Sequence, residues 1–180
     1  MGVVWCECCV DAGALASHPN LKQQHNPDAT VTAQRDWVSL DSTVTAIVID
    51  SYIMQTGFNE LDLSRFSQLQ SLEVGDYSLS FVKEVSLVGM SALERVLIGE
   101  NSFTKNKYRG GEEPDRRFCV RDCPSLKELR VGRYSFSDYS VCEIENNERV
   151  EVIEMGDLNE ISCNFMYASF LLKGMIVCNR

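Results

Sequence analysis

The chain has 180 residues, 44% of them hydrophobic and 24% charged, with 17 basic against 26 acidic side chains for a net charge of −9. This length and apolar content suit one domain with a packed core and exclude a wholly disordered chain. The acidic balance argues against nucleic acid as the main partner, because phosphate binding needs the opposite sign.

The first 43 residues show no internal periodicity. The opening stretch MGVVWCECCVDAGALA has no Lys or Arg ahead of its apolar part, and Glu7 and Asp11 interrupt it, so it does not read as a secretory signal. No apolar run reaches the roughly 18 residues that a spanning helix needs, and no integral membrane segment is expected. Gly2 follows Met1, and Cys6 stands where myristoylation signals carry a small hydroxyl residue. Gly2 and Cys6 are therefore candidate lipidation sites, with Cys8 and Cys9 as further acyl acceptors. Residues 17–34 are polar and hold Pro19 and Pro27, which predicts a loosely ordered segment. Trp37, Val38 and Leu40 then read as a partial first unit or as an N-terminal cap over 37–43.

From Val44 onward the sequence repeats itself. LQSLEVGDYSL from Leu69, LERVLIGENSF from Leu93, LKELRVGRYSF from Leu126 and VEVIEMGDLNE from Val150 share one pattern of three spaced apolar columns followed by glycine. VTAIVIDSYIM from Val44 is a weaker copy, with Asp50 in place of the glycine. The starts are separated by 25, 24, 33 and 24 residues, the long interval carrying the hydrophilic insertion TKNKYRGGEEPDRR at 104–117. A second alternating pair stands eight residues before the next start: Leu61 and Leu63, Val85 and Leu87, Phe118 and Val120, Cys142 and Ile144. Phe170 and Leu172 continue that column in a longer last unit. Alternation of period two predicts two short strands per unit. A unit this small cannot bury its own apolar face, so like columns are expected to lie side by side as ladders.

LERVLIGENSF resembles the leucine-rich-repeat pattern L-x-x-L-x-L-x-x-N-x-L, with Val96, Ile98, Asn101 and Phe103 in its later slots. Gly-Asp-Tyr-Ser-Leu at 75–79 and Gly-Arg-Tyr-Ser-Phe at 132–136 resemble the irregular repeats of BspA-like leucine-rich proteins, and the resemblance covers about 44–178. An asparagine ladder cannot be continuous, because Asn101 alone fills that slot; Tyr77 or Ser78 and Tyr134 or Ser135 stand nearby elsewhere. The expected fold is a β-rich leucine-rich-repeat solenoid over 44–180, of about five units of 24–25 residues, with two short strands each and little regular helix. The resemblance implies a surface that binds partners on its sheet face and has no catalytic residues.

Residues between the apolar columns face outward. Ser71, Arg95, Glu128 and Val152 form one outward column, Val48, Glu73, Leu97, Arg130 and Glu154 the next, and Asp62, Ser86, Cys119 and Glu143 a third on the second strand. Glu73, Arg95, Leu97, Glu128, Arg130, Val152 and Glu154 are the candidate partner-binding residues, with Leu97 and Val152 at the centre of a charged rim. Residues 105–133 carry a net charge of +4 and residues 138–160 one of −7, a bipolar surface that either orients a partner or pairs internally.

Chemistry is sparse. His18 and His25, the two histidines, lie in the polar N-terminal stretch; Gly110-Gly111 runs into Glu112-Glu113; and the cysteine spacing is no zinc pattern. No catalytic residue, metal or cofactor is expected. The eight cysteines, in a chain with its own core, read as reduced thiols, and no Asn-x-Ser/Thr site occurs. The expectation is a cytoplasmic protein-interaction module with an unidentified protein partner. Its alternatives are a lipid-anchored peripheral membrane protein displaying the repeats, and a fragment of a longer repeat array or surface adhesin. The abrupt apolar stretch FMYASFLLKGMIVC leaves an open C-terminal edge that offers a route to self-association.

Overall fold

The computed structural model describes residues 29–53, 60–106 and 113–174. In chain order these form β1 (Ala29–Val31), α1 (Gln34–Ser39), β2 (Ala46–Ile49), β3 (Glu60–Asp62), β4 (Ser71–Val74), β5 (Glu84–Val88), β6 (Arg95–Ile98), β7 (Glu113–Arg121), β8 (Glu128–Val131), β9 (Tyr139–Glu145), β10 (Val152–Met155) and β11 (Ser169–Lys173). Two open sheets result, a six-stranded one in the order β1-β2-β4-β6-β8-β10 and a five-stranded one in the order β11-β9-β7-β5-β3. Every strand pair is parallel. From β2 onward successive strands alternate between the sheets.

This architecture corrects the fold class expected from the sequence. The described residues do not form a leucine-rich-repeat solenoid of about five even units. They form two open parallel sheets of six and five strands. The larger sheet begins at β1, upstream of the first recognisable period. The strands are also uneven, three residues in β3 and nine in β7, because residues of the expected insertion continue the strand back to Glu113. Apolar periodicity reports which strands are neighbours. It does not report the strands that aperiodic flanks add.

The pairing follows the apolar columns. Leu72 pairs with Val96, Val96 with Leu129, and Leu129 with Ile153, and Val74, Ile98, Val131 and Met155 are matched two residues further on. Leu61, Val85, Phe118, Cys142 and Phe170 form the corresponding column of the smaller sheet. The inward columns of both sheets share one core with Leu69, Leu93 and Leu126, each fully buried. Phe103, Phe136 and Phe165 stack through it at centroid separations of 4.7 and 5.0 Å, rings nearly parallel. Trp37 of α1 meets Phe66 edge-on at 5.5 Å and covers the β1 end of this core, while Val38 points to solvent.

Serine closes the turns that follow the strands of the larger sheet. Ser78 Oγ donates to Asp50 O (2.8 Å) and accepts from Ile53 N (3.0 Å). Ser102 Oγ donates to Gly75 O (2.6 Å) and accepts from Ser78 N (3.1 Å). Ser135 Oγ donates to Gly99 O (2.7 Å) and accepts from Ser102 N (2.9 Å). Asn164 Nδ2 ends the run on Gly132 O (2.7 Å). The three serines are fully buried, so each hydroxyl satisfies a carbonyl and an N–H that water cannot reach. Asn101 is not a member of this ladder. It occupies the preceding column with Tyr52, Tyr77 and Tyr134, where φ lies between 55° and 65°.

The same turns explain the glycine column. A Cβ on Gly132 would sit 2.5 Å from the Gly99 carbonyl, and one on Gly99 would sit 2.8 Å from Asp76 N. Neighbouring turns therefore touch backbone to backbone.

Two outcomes are expected. Ser102→Ala orphans the buried Ser78 N–H and Gly75 carbonyl and should cost about 2–3 kcal/mol in urea unfolding, whereas Ser86→Ala on the outer face should stay within about 0.5 kcal/mol. Gly132→Ala forces two turns apart and should cost about 1–3 kcal/mol, read as a lowered thermal midpoint.

Candidate partner-binding face

The seven candidate residues lie on one face. Register places Ser71, Arg95, Glu128 and Val152 side by side on the larger sheet, and Val48, Glu73, Leu97, Arg130 and Glu154 in the adjoining column. The pleat turns the apolar columns into the core and leaves these positions outside. On β4, β6 and β8 their strand neighbours Leu72, Val74, Val96, Ile98, Leu129 and Val131 are buried in the core.

Its side chains are tied to one another. Arg95 Nε meets Glu128 Oε2 at 2.9 Å, Arg130 Nε pairs with the other Glu128 oxygen, and Arg130 Nη1 pairs with Glu154. Opposite charges thus stand opposite each other across adjacent strands, the arrangement that stabilises cross-strand pairs. Leu97, between Glu73 and Arg130, is only 9% exposed although it points outward. The long stems of its charged neighbours shield it. Glu73 is half-buried, and burial raises its carboxyl above the ordinary glutamate value against the opposing pull of Arg95. Val152 lies on β10, at the edge of the sheet, where every residue is partly exposed.

Part of the bipolar charge distribution is taken up in internal pairs. Arg121 meets Glu143 at 3.9 Å, and Arg133 reaches Glu100 at 3.1 Å and also pairs with Glu160. Arg116, which by sequence belongs to a solvated basic insertion, is 1% exposed. Its guanidinium donates to Ser80 O (2.7 Å), to Val82 O (2.8 Å) and to Asp138, and lies 4.8 Å from the Tyr139 ring centre. Asp138 in turn accepts from Lys105 N and Asn106 N at 3.1 Å each. Burial pushes the Asp138 carboxyl up, partly offset by Arg116. Arg116 thus anchors the insertion to the core rather than displaying charge.

The outer face of the smaller sheet carries a shallow hollow of about 300 Å³ lined by Glu60, Asp62, Ser64, Glu84 and Ser86 among others. Glu60 stands directly opposite Glu84 in register. Among the described residues no three His, Cys, Asp or Glu side chains converge as a metal site. Cys119, Cys123, Cys142 and Cys163 are free thiols. Burial raises the thiols of Cys119, Cys123 and Cys142, which works against nucleophilic activation. Cys123 has a structural task, with Sγ directed to Leu87 O at 3.4 Å and its N–H donated to Asn147 Oδ1 at 3.0 Å. No helix among the described residues is long and apolar enough to cross a membrane. The candidate lipidation sites Gly2 and Cys6 lie outside the described residues.

Sequence reasoning missed the ion-pair lattice as a unit, although its signal was present: Arg95 and Glu128 share a column, as do Arg130 and Glu154. It also missed the exposed Tyr52 and Tyr77, whose rings stack at 5.4 Å with planes 2° apart. The chain matches no protein-family model, no curated protein and no solved structure.

The Glu73 environment yields a pH prediction. With its pKa raised, the folded state holds that proton more tightly than the unfolded chain, so this group lowers stability as pH rises through its folded value. Glu73→Gln should be more stable than the parent at neutral pH. The advantage should vanish below the ordinary glutamate value, as followed by urea unfolding at both pH values.

Proposed function

We propose that this chain is a non-enzymatic protein-interaction module whose partner docks on the outer face of the larger sheet. The supporting observation is the lattice formed by Arg95, Glu128, Arg130 and Glu154 beside Leu97 and Glu73 on adjacent, in-register strands. An alternation of charge around a shielded apolar centre gives orientation and specificity to an encounter, while the apolar stems supply contact area. A cytoplasmic setting is part of the proposal, supported by the free thiols of Cys119, Cys123, Cys142 and Cys163. Contact between copies at the C-terminal edge is a further part, supported by Phe170, Leu171 and Leu172 on the edge strand β11, each at least 43% exposed.

The test compares three forms of the protein as baits for partners from a cell extract. Arg130→Glu should reduce recovery of bound proteins about tenfold, equivalent to about 1.4 kcal/mol. The double variant Arg130→Glu, Glu154→Arg keeps opposite charges on the two strands and should regain stability without regaining recovery. Equal recovery by all three forms would contradict the proposal, as would full recovery by the double variant.

A further inference from the structure

The outer face of the larger sheet divides in two. On β6, β8 and β10 the charged side chains Arg95, Glu128, Arg130 and Glu154 are paired with one another. On β1, β2 and β4 the outward positions are different: Thr30, Val48 and Glu73 stand in one row, Ala46 and Ser71 in the next. Glu73 is the one charged side chain among these five. Its neighbours in the row are Val48 on one side and Leu97 on the other.

Glu73 takes no part in the lattice. It enters no side-chain hydrogen bond and no ion pair among the described residues. Arg95, whose charge it feels, is bonded to Glu128. Solvent still reaches the Glu73 oxygens: the sealed, unpartnered side-chain atoms belong to Asn101, Arg116, Asp138 and Asn164. On the β2 side Ala46, Val48 and Ser71 are partly exposed and too short to shield the carboxylate, unlike the long stems around Leu97.

A part-buried carboxylate without a partner costs the free chain stability, and such exceptions gather at functional sites. Anything that covers this face strips the remaining water from Glu73, so it must bring donors in exchange. The face itself shows a fitting donor, since its carboxylates Glu128 and Glu154 are both met by arginine. A guanidinium presents a fork of N–H groups to two oxygens at once and sheds water more readily than an ammonium.

We propose that Glu73 receives an arginine side chain of the protein partner, paired through both carboxylate oxygens, with its aliphatic stem lying on Ala46 and Val48. This rests on the docking of a partner on the outer face, proposed above, and adds the chemistry that partner carries. The net charge of −9 favours approach of a basic segment.

The experiment titrates the full isotope-labelled chain with the peptide acetyl-Ala-Arg-Ala-amide and its Lys and Gln counterparts. NMR follows the Val48 and Leu97 methyl groups and the Glu73 carboxyl carbon. The arginine peptide should give saturable shifts with a dissociation constant on the order of millimolar, and the lysine and glutamine peptides should bind about fivefold more weakly or worse. Glu73→Gln keeps the side-chain size and should be the more stable protein at neutral pH, so a loss of binding in it is no sign of unfolding. It should weaken the arginine peptide about fivefold and leave the glutamine peptide unchanged. Equal binding of all three peptides at these methyl groups would overturn the arginine assignment while leaving the face as a docking surface. So would lysine binding as tight as arginine, or an unchanged response in Glu73→Gln. Saturation at Glu60 and Glu84 at lower concentration would reduce the effect to general attraction by the acidic chain and overturn it too. Methyl groups that respond to no peptide up to about 50 mM would count against both the arginine site and the face.

Discussion

A buried hydroxyl that serves two turns at once is the contact on which the rest depends. Ser78, Ser102 and Ser135 each donate to a carbonyl of the turn before and accept an N–H from it. Without them the buried backbone of these tight turns would carry orphaned polar groups, each costing about 1–3 kcal/mol. Serine is short enough to reach backbone on the neighbouring turn, and the glycines beside it let that turn come close. The ladder therefore sets strand spacing and register on the larger sheet. Register then decides which outward side chains meet. The ion pairs of Arg95, Glu128, Arg130 and Glu154 are consequences of the turns as much as of their own charges.

Much of the local order was legible in the sequence. The columns Leu72, Val96, Leu129, Ile153 and Leu61, Val85, Phe118, Cys142 pair as their spacing implies, because apolar side chains on short parallel strands gain burial only in that register. The outward placement of the seven candidate residues follows from the same alternation. The architecture was not legible. Resemblance to a leucine-rich repeat suggested a solenoid of even units, whereas the described residues make two open sheets of six and five strands. β1 carries no apolar period, and β7 draws strand residues from a hydrophilic insertion, so neither left a signal of the kind sought.

Polar residues were the harder part to assign. Arg116 sits among charged neighbours in sequence and looks solvated, yet it is one of the largest fully buried side chains among the described residues. Its burial depends on carbonyls at Ser80 and Val82 and a carboxylate at Asp138, none adjacent in sequence. Asn101 matched the expected asparagine slot, but the ladder runs through the serine one residue later in each turn. A side chain that bonds to backbone on a neighbouring turn has no one-dimensional signature beyond its spacing, and here two adjacent columns shared that spacing.

The most direct test of the serine-bridged turns is native-state amide hydrogen exchange. If the hydroxyls hold the turns together, the amides of Ile53, Ser78 and Ser102 exchange only through global unfolding, with protection equal to that of core amides such as Val96 and Leu129. Rapid exchange of those three amides while the strands stay protected would show that the turns open on their own and that strand packing alone sustains the fold.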